Sequence, residues 1–200
     1  MVRVAEAWVK IETPDPVAVR KGRRTMLLIA LVAAAPAVAS YTIYYFFPPD
    51  KRANYGELLP TAPVPAIAAK AADGAPFALS TLAGKWVLAM AAPSACDAGC
   101  VQALFATRQA RTIQNKEKER VVRVWFVTDD DPIDAALLAQ HPELIVVRSD
   151  PATWAHFDVG TERIVLLDPL QNRVLAFPRD PDIKAMAKDV SRLLKASRIG

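Results

Sequence analysis

The sequence predicts an α/β fold: a mixed sheet flanked by helices, set behind one N-terminal transmembrane helix. Three observations predict it. A charge-free apolar run lies near the N-terminus, apolar strand-like runs alternate with helical patterns from residue 86 onward, and a hairpin signal is followed by an amphipathic helix at the end. Two hundred residues admit one or two domains. Two cysteines exclude a disulfide-rich scaffold, and sixteen prolines against seven glycines favour stiff connections. Residues 1–24 hold six basic and three acidic side chains and so supply +3 of the net +4. The rest is near neutral, which argues against a nucleic-acid-binding face.

Residues 25–47 (TMLLIALVAAAPAVASYTIYYFF) carry no charge over 23 positions, and about 20 apolar residues span a hydrocarbon core. Arg20, Lys21, Arg23 and Arg24 precede the run; Asp50, Lys51 and Arg52 follow it. The larger basic cluster marks the cytoplasmic side, so the C-terminal part is expected outside, in the periplasm of a bacterial-type inner membrane. Tyr41, Tyr44 and Tyr45 sit near the outward end, at headgroup level. Pro36 marks a candidate kink. Two other readings compete with this one. Ala37-Val38-Ala39 resembles a signal-peptide cleavage site, but the apolar run continues past it and the basic leader is long. A buried core helix would need a large protein around it. The expected layout is a cytoplasmic basic leader (1–24), a transmembrane helix (25–47), a Pro/Ala-rich linker (48–75) and one domain (76–200).

Within that domain WVLAMAA at Trp86–Ala92 is a continuous apolar run, as in a strand covered on both faces. An amphipathic helix follows over about 101–118, then a second strand (121–128), a helix near 132–140 and a third strand (144–147). Strands at 163–167 and 173–177 flank Asp168-Pro169-Leu170-Gln171-Asn172, a hairpin turn. Residues 182–197 close the chain as a helix with Ile183, Met186, Ala187, Val190, Leu193 and Leu194 on one face. The order β-α-β-α-β-β-α is the thioredoxin-like plan.

Cys96 and Cys100 (SACDAGC) stand where the first strand gives way to the first long helix. Helical spacing would bring their side chains to one face, near enough for a disulfide or for joint ligation of a soft cation such as Cu(I). A helix N-terminus lowers a thiol pKa, which helps either chemistry. The bland alternative, an inert local disulfide, gains little chain entropy from so short a loop. His141, before Pro142, reads as a surface or capping residue; Asp129, Asp130 and Asp131 read as structural, with Asp131-Pro132 a helix entry. Trp86, Trp125 and Trp154 read as core, and 114–120 (QNKEKER) as a solvated helix end.

The stretches FALSTLAGKWVLAMAAPSACDAGC, VWFVTDDDP and RIVLLDPLQNRVLAF resemble the SCO/SenC family of cytochrome c oxidase assembly proteins, over roughly residues 76–197. NYGELL (54–59) is similar to a juxtamembrane motif of a divergent branch. The resemblance implies a membrane-anchored thioredoxin-like domain that handles copper through the Cys-x-x-x-Cys pair and a distant histidine, or reduces the cysteines of the oxidase copper centre. It also implies an oxidase subunit or another assembly factor as partner, with no nucleic acid involved. The chain departs from the pattern. Asp97 and Val101 follow the cysteines where proline is usual, and the ligand-histidine position, eight residues before Asp168, holds Gly160. His156, four residues earlier, is the nearest substitute third ligand, although a polar loop histidine is the plainer reading.

Three functions follow as alternatives. The first is an oxidase-assembly protein whose Cys96 and Cys100 take up Cu(I) or exchange electrons with client cysteines. The second is a general thiol–disulfide oxidoreductase without a metal role. The third is a scaffold that only docks subunits.

Overall fold

The computed structural model describes residues 16–46, 54–65, 67–72, 74–160 and 163–197. Most of the basic leader, Phe47 and the flanking Asp50, Lys51 and Arg52 lie outside the described residues. The chain divides into two compact units, Met1–Arg52 and Ala53–Gly200.

The first unit contains one helix, α1 (Pro16–Phe46), which takes in the four basic residues as well as the apolar run. Its stretch Arg20–Phe46, 27 residues reaching a mean hydropathy of 2.1, is long and apolar enough to cross a membrane. At 1.5 Å per residue it measures about 40 Å against a hydrocarbon core of about 30 Å, so a basic turn extends beyond the apolar part. Side chains 20–46 are exposed throughout, as a lipid-facing helix requires and a core helix does not. The Thr25 and Thr42 hydroxyls donate to the carbonyls of Lys21 (3.1 Å) and Val38 (2.7 Å) within the helix, which satisfies both in an apolar medium.

The second unit is built on a mixed eight-stranded sheet. Its strands are β1 (Glu57–Leu58), β2 (Ala68–Ala71), β3 (Pro76–Ala78), β4 (Trp86–Ala92), β5 (Val121–Val127), β6 (Leu144–Arg148), β7 (Arg163–Leu167) and β8 (Arg173–Pro178). Their spatial order is β1-β8-β7-β4-β5-β6-β2-β3. Strand β4 is parallel to β5 and antiparallel to β7, and all seven of its residues are buried, which explains its unbroken apolar run. The pleat divides the core. Trp86, Leu88, Met90 and Ala92 pack with α2 (Ala98–Ile113) and α5 (Ile183–Ala196); Val87, Ala89 and Ala91 face the other way, onto Trp154 and Phe157. On α5 the buried Met186, Ala187, Val190 and Leu194 occupy one face at three- and four-residue spacing, as read from the sequence. The hairpin turn between β7 and β8 is held by Asp168, whose carboxylate accepts from the Leu170 and Asn172 amides (2.9 and 2.8 Å) and from Asn172 Nδ2 (2.8 Å).

The linker expected over 48–75 is corrected for its described part. β1 pairs with β8, β2 lies between β6 and β3, and Ile67 is buried. Strands of two to four residues at or next to a sheet edge need backbone partners more than apolar periodicity, so a Pro/Ala-rich composition does not reveal them. The same segment is tied to α5. Gly56 N donates to Asp189 Oδ2 (2.9 Å), Asp182 N donates to Tyr55 Oη (2.9 Å), and the Tyr55 ring stacks on Phe177.

Three helix boundaries also move. α2 begins three residues earlier than expected and ends at Ile113, where Asn115 takes a positive φ and a 3-10 turn (Asn115–Arg120) carries the charged stretch. α3 (Ala135–Ala139) is entered through Asp134, whose side chain accepts from Ala136 N, and not through Asp131. The sequence pattern predicts no helix at α4 (Pro151–Ala155), which Asp150 caps with Pro151 at its first position. α4 covers the second face of the sheet, where Trp154 stacks on Phe157 at 4.5 Å and both rings meet Phe126.

Candidate redox and metal site

Strands β4, β5 and β6 run in parallel, and β8 joins them in direction through two antiparallel pairings. The residues following these strands therefore gather at one end of the sheet. Cys96, Asp129 and Arg179 are among them, and Arg148 closes β6 at the same end.

Beyond Ala92 the chain leaves the sheet as a short turn. Trp125 Nε1 donates to the Ala92 carbonyl (3.2 Å), and the Asp129 carboxylate accepts from Ser94 N through both oxygens (3.2 and 3.0 Å). Cys96 N donates to the Pro93 carbonyl (3.2 Å), which closes the turn. Cys96 thus precedes α2 instead of lying on its face, a correction to the helical spacing assumed for the pair. Asp97 is the N-cap, its Oδ1 accepting from Cys100 N at 2.9 Å. Cys96 and Cys100 form a disulfide, with Cα atoms 5.2 Å apart.

The two sulfurs differ in access. Cys100, in the first turn of α2, is fully buried, whereas Cys96 is half-buried and lines a shallow groove with Ser94, Ala95, Val101, Pro132 and Leu137. Val101 and Phe105, one helical turn apart on α2, expose apolar side chains nearby. On the other side Arg179, just past β8, forms an ion pair with Asp97 and lies against Gly99. A side chain at Gly99 would put its Cβ 2.9 Å from Arg179 Nε. A side chain at position 99 would therefore make the guanidinium shift.

The structure does not bring His156 to this pair. His156 is exposed at the C-cap of α4, whose Trp154 packs on the sheet face opposite the one that buries Cys100. Gly160 is also exposed, and its carbonyl accepts from Trp154 Nε1 (3.1 Å). Among the described residues no three His, Cys, Asp or Glu side chains cluster as a metal site. A reduced Cys96–Cys100 pair offers two soft thiolates, a donor set suited to linear Cu(I) and poor for Cu(II), which prefers nitrogen and oxygen.

His141 is buried rather than at the surface. The adjoining Pro142 carbonyl accepts from Arg123 Nη2 (2.5 Å), and Arg123 is itself buried in β5. Burial, with the Arg111 and Arg108 charges, lowers the Arg123 pKa to about 10 despite Glu143 nearby. Burial, with the Arg123 and Arg108 charges, likewise pushes the His141 imidazole below its ordinary value. Asp129 fulfils a structural role as expected, but one directed at the cysteine turn. The sequence reading missed Asp97 and Arg179. An Asp three residues ahead of a helical cysteine is a legible cap signal; Arg179, 82 positions away, becomes relevant only once β8 is aligned with β4.

The family model described as a transmembrane-like, thioredoxin-like, C-terminal domain matches residues 86–197, more than half of the chain. The chain belongs to this family. As a transmembrane-like, thioredoxin-like protein it pairs its sheet and helices with an N-terminal helix able to anchor it in a membrane. No curated protein matches its sequence significantly. Its structural neighbours include Sco proteins. Copper-bound ScoI of Arabidopsis thaliana shares 17% identity at a TM-score of 0.57, covering 68% of this chain and 100% of that one. BsSco, described with a disulfide switch as a member of the Sco family of cytochrome c oxidase assembly proteins, shares 14% at 0.55, covering 70% and 95%. The thioredoxin domain of a thiol-disulfide oxidoreductase from Bacteroides vulgatus shares 19% at 0.55, covering 68% and 99%. At these identities the likeness establishes the fold.

Proposed function

We propose that this transmembrane-like, thioredoxin-like protein is an accessory factor for cytochrome c oxidase assembly that performs thiol–disulfide exchange on a client through Cys96 and Cys100. The observation that carries the reading is the asymmetric pair itself: an accessible Cys96 on a groove, disulfide-bonded to a buried Cys100 at a helix N-terminus. In the reduced protein the Cys96 thiolate attacks one sulfur of a client disulfide and expels the other as a thiolate. Cys100 then attacks Cys96 Sγ and releases the client's first sulfur, while its proton goes to a leaving thiolate. The client gains two electrons and the Cys96–Cys100 disulfide forms. A membrane-associated dithiol donor would return the pair to the reduced state.

Cu(I) is a second cargo that the reduced pair can hold. The Cα spacing of 5.2 Å and two thiolates support transient linear ligation, completed by client ligands on transfer. His156 was a candidate third ligand for that ion, and its position on α4 gives no support to the role. The basic residues ahead of the apolar run support an inner-membrane anchor with the N-terminus cytoplasmic and the thioredoxin-like domain periplasmic.

The test is reduction of a disulfide peptide copied from an oxidase copper-site loop by the reduced full chain in detergent. Wild type should convert the peptide stoichiometrically, and Cys96→Ser should abolish the reaction. Equal turnover by wild type and a Cys96→Ser, Cys100→Ser variant would contradict the proposal.

A further inference from the structure

We propose that the exposed face of α5 is a docking surface for an anionic lipid bilayer, with Lys184, Lys188, Arg192 and Lys195 seated among headgroup phosphates. The inference concerns the membrane that α1 is long and apolar enough to cross, and it does not depend on the exchange chemistry.

The four cations are exposed and recur at spacings of four, four and three residues, which sets them in one stripe along the helix. A solvated helix face ordinarily mixes signs. A carboxylate four residues from a lysine stabilises a helix, whereas a second cation there destabilises it. α5 has a single carboxylate, Asp189, which is 2% exposed and accepts from Gly56 N. Arg192 lies 3.5 Å from it, while Lys184, Lys188 and Lys195 have no ion pair among the described residues. Lys184, in the first turn, also opposes the helix dipole. Local helix stability is thus set against a stripe of one sign, which points to an anionic surface outside the chain.

The surroundings suit a bilayer. Ile113, 47% exposed at the end of α2, lies in the groove that Lys184, Lys188 and Lys195 line. Cations beside an exposed apolar side chain match a lipid interface, where phosphates meet the acyl boundary. The adjoining 3-10 turn adds Lys116, and its Glu117 is taken by Arg120 at 2.8 Å.

The covalent path favours lipid over a freely diffusing acidic protein. Gly56, ten residues after Phe46 closes α1, donates to Asp189 on α5 itself, and Tyr55 Oη accepts from Asp182 N at the cap of the same helix. Ten residues reach at most about 35 Å. The helix that carries the stripe therefore also receives the chain from the anchor, and it meets lipid at high effective concentration.

The test is lysine acetylation by a neutral N-hydroxysuccinimide ester, read residue by residue by mass spectrometry. It uses the full chain in nanodiscs of phosphatidylcholine, alone or with an equal share of phosphatidylglycerol. Lys184, Lys188 and Lys195 should label at least about threefold more slowly in the anionic discs, and high salt should remove the difference. Lys70, exposed on β2, should label alike in both. In the Lys184→Gln, Lys188→Gln variant the protection of Lys195 should shrink to less than about 1.5-fold. Equal labelling of the stripe in the two discs would overturn the proposal and leave the face to an acidic protein. Protection shared by Lys70, kept at high salt or kept by Lys195 in the variant would overturn it as well. The salt comparison uses wild type alone, so it decides the matter even if the variant fails to fold.

Discussion

Asp189→Asn tests whether residues 54–59 belong to the folded domain. Asp189 is 2% exposed, and its Oδ2 accepts from Gly56 N at 2.9 Å, with Arg192 3.5 Å from Oδ1. Asparagine keeps the shape but removes the charge, and it leaves an amide donor buried. A hydrogen bond to a charged group contributes about 1.5–3 kcal/mol, and about 2 kcal/mol should lower Tm by about 4–8 °C for a domain of this size. The loss should be felt first in the segment it holds. Amides bonded in that region, Gly56 N to Asp189 and Leu59 N to the Val174 carbonyl, should exchange hydrogen about tenfold or more faster, since about 1.4 kcal/mol corresponds to a factor of ten. Amide exchange by mass spectrometry on the full chain in detergent, paired with thermal unfolding, reads both effects. Unchanged Tm and unchanged exchange at Gly56 and Leu59 would refute the account of this segment.

Other perturbations probe the core, the buried histidine and the copper reading. Leu104→Ala removes a fully buried side chain from the face of α2 that covers β4 and should cost about 2–5 kcal/mol, read as a lower urea midpoint at constant m-value. His141 has a lowered pKa in the folded protein, so between that value and the ordinary 6.5 the unfolded chain binds the extra proton. Stability should therefore be full above pH 6.5 and fall as pH drops towards the folded value, and His141→Gln should flatten that dependence; a wild-type profile retained in the variant would contradict it. His156→Ala should change the Cu(I) affinity of the reduced chain by less than about twofold in a competitive chelator titration, and a tenfold loss would restore it as a ligand.

The parts of the fold that were legible in the sequence are those whose signal is local. β4 shows as an unbroken apolar run because both its faces are covered, α5 by the stripe from Met186 to Leu194, and the hairpin by the side-chain chemistry of Asp168 and Asn172. The cysteine pair was legible from its place after β4. What escaped depends on partners distant in the chain. β1 and β2 are strands only because β8 and β6 present free edges to them. His141 and Arg123 are buried by the meeting of β5 with the turn before β6, and no polar or apolar pattern around either announces that. The α4–β7 segment reaches the same end of the sheet as the cysteines, but Trp154 and Phe157 commit α4 to the opposite face. A count along the sequence cannot show that commitment, and for this reason His156 looked closer to the pair than it is.

The most direct test of the central claim is disulfide trapping in cells that assemble a cytochrome c oxidase. With Cys100→Ser, exchange stops at the mixed disulfide, so the account predicts a covalent adduct between Cys96 and a copper-site cysteine of the oxidase, identified by mass spectrometry and absent from the Cys96→Ser, Cys100→Ser variant. No adduct at Cys96, with oxidase assembled normally in the double variant, would contradict the account.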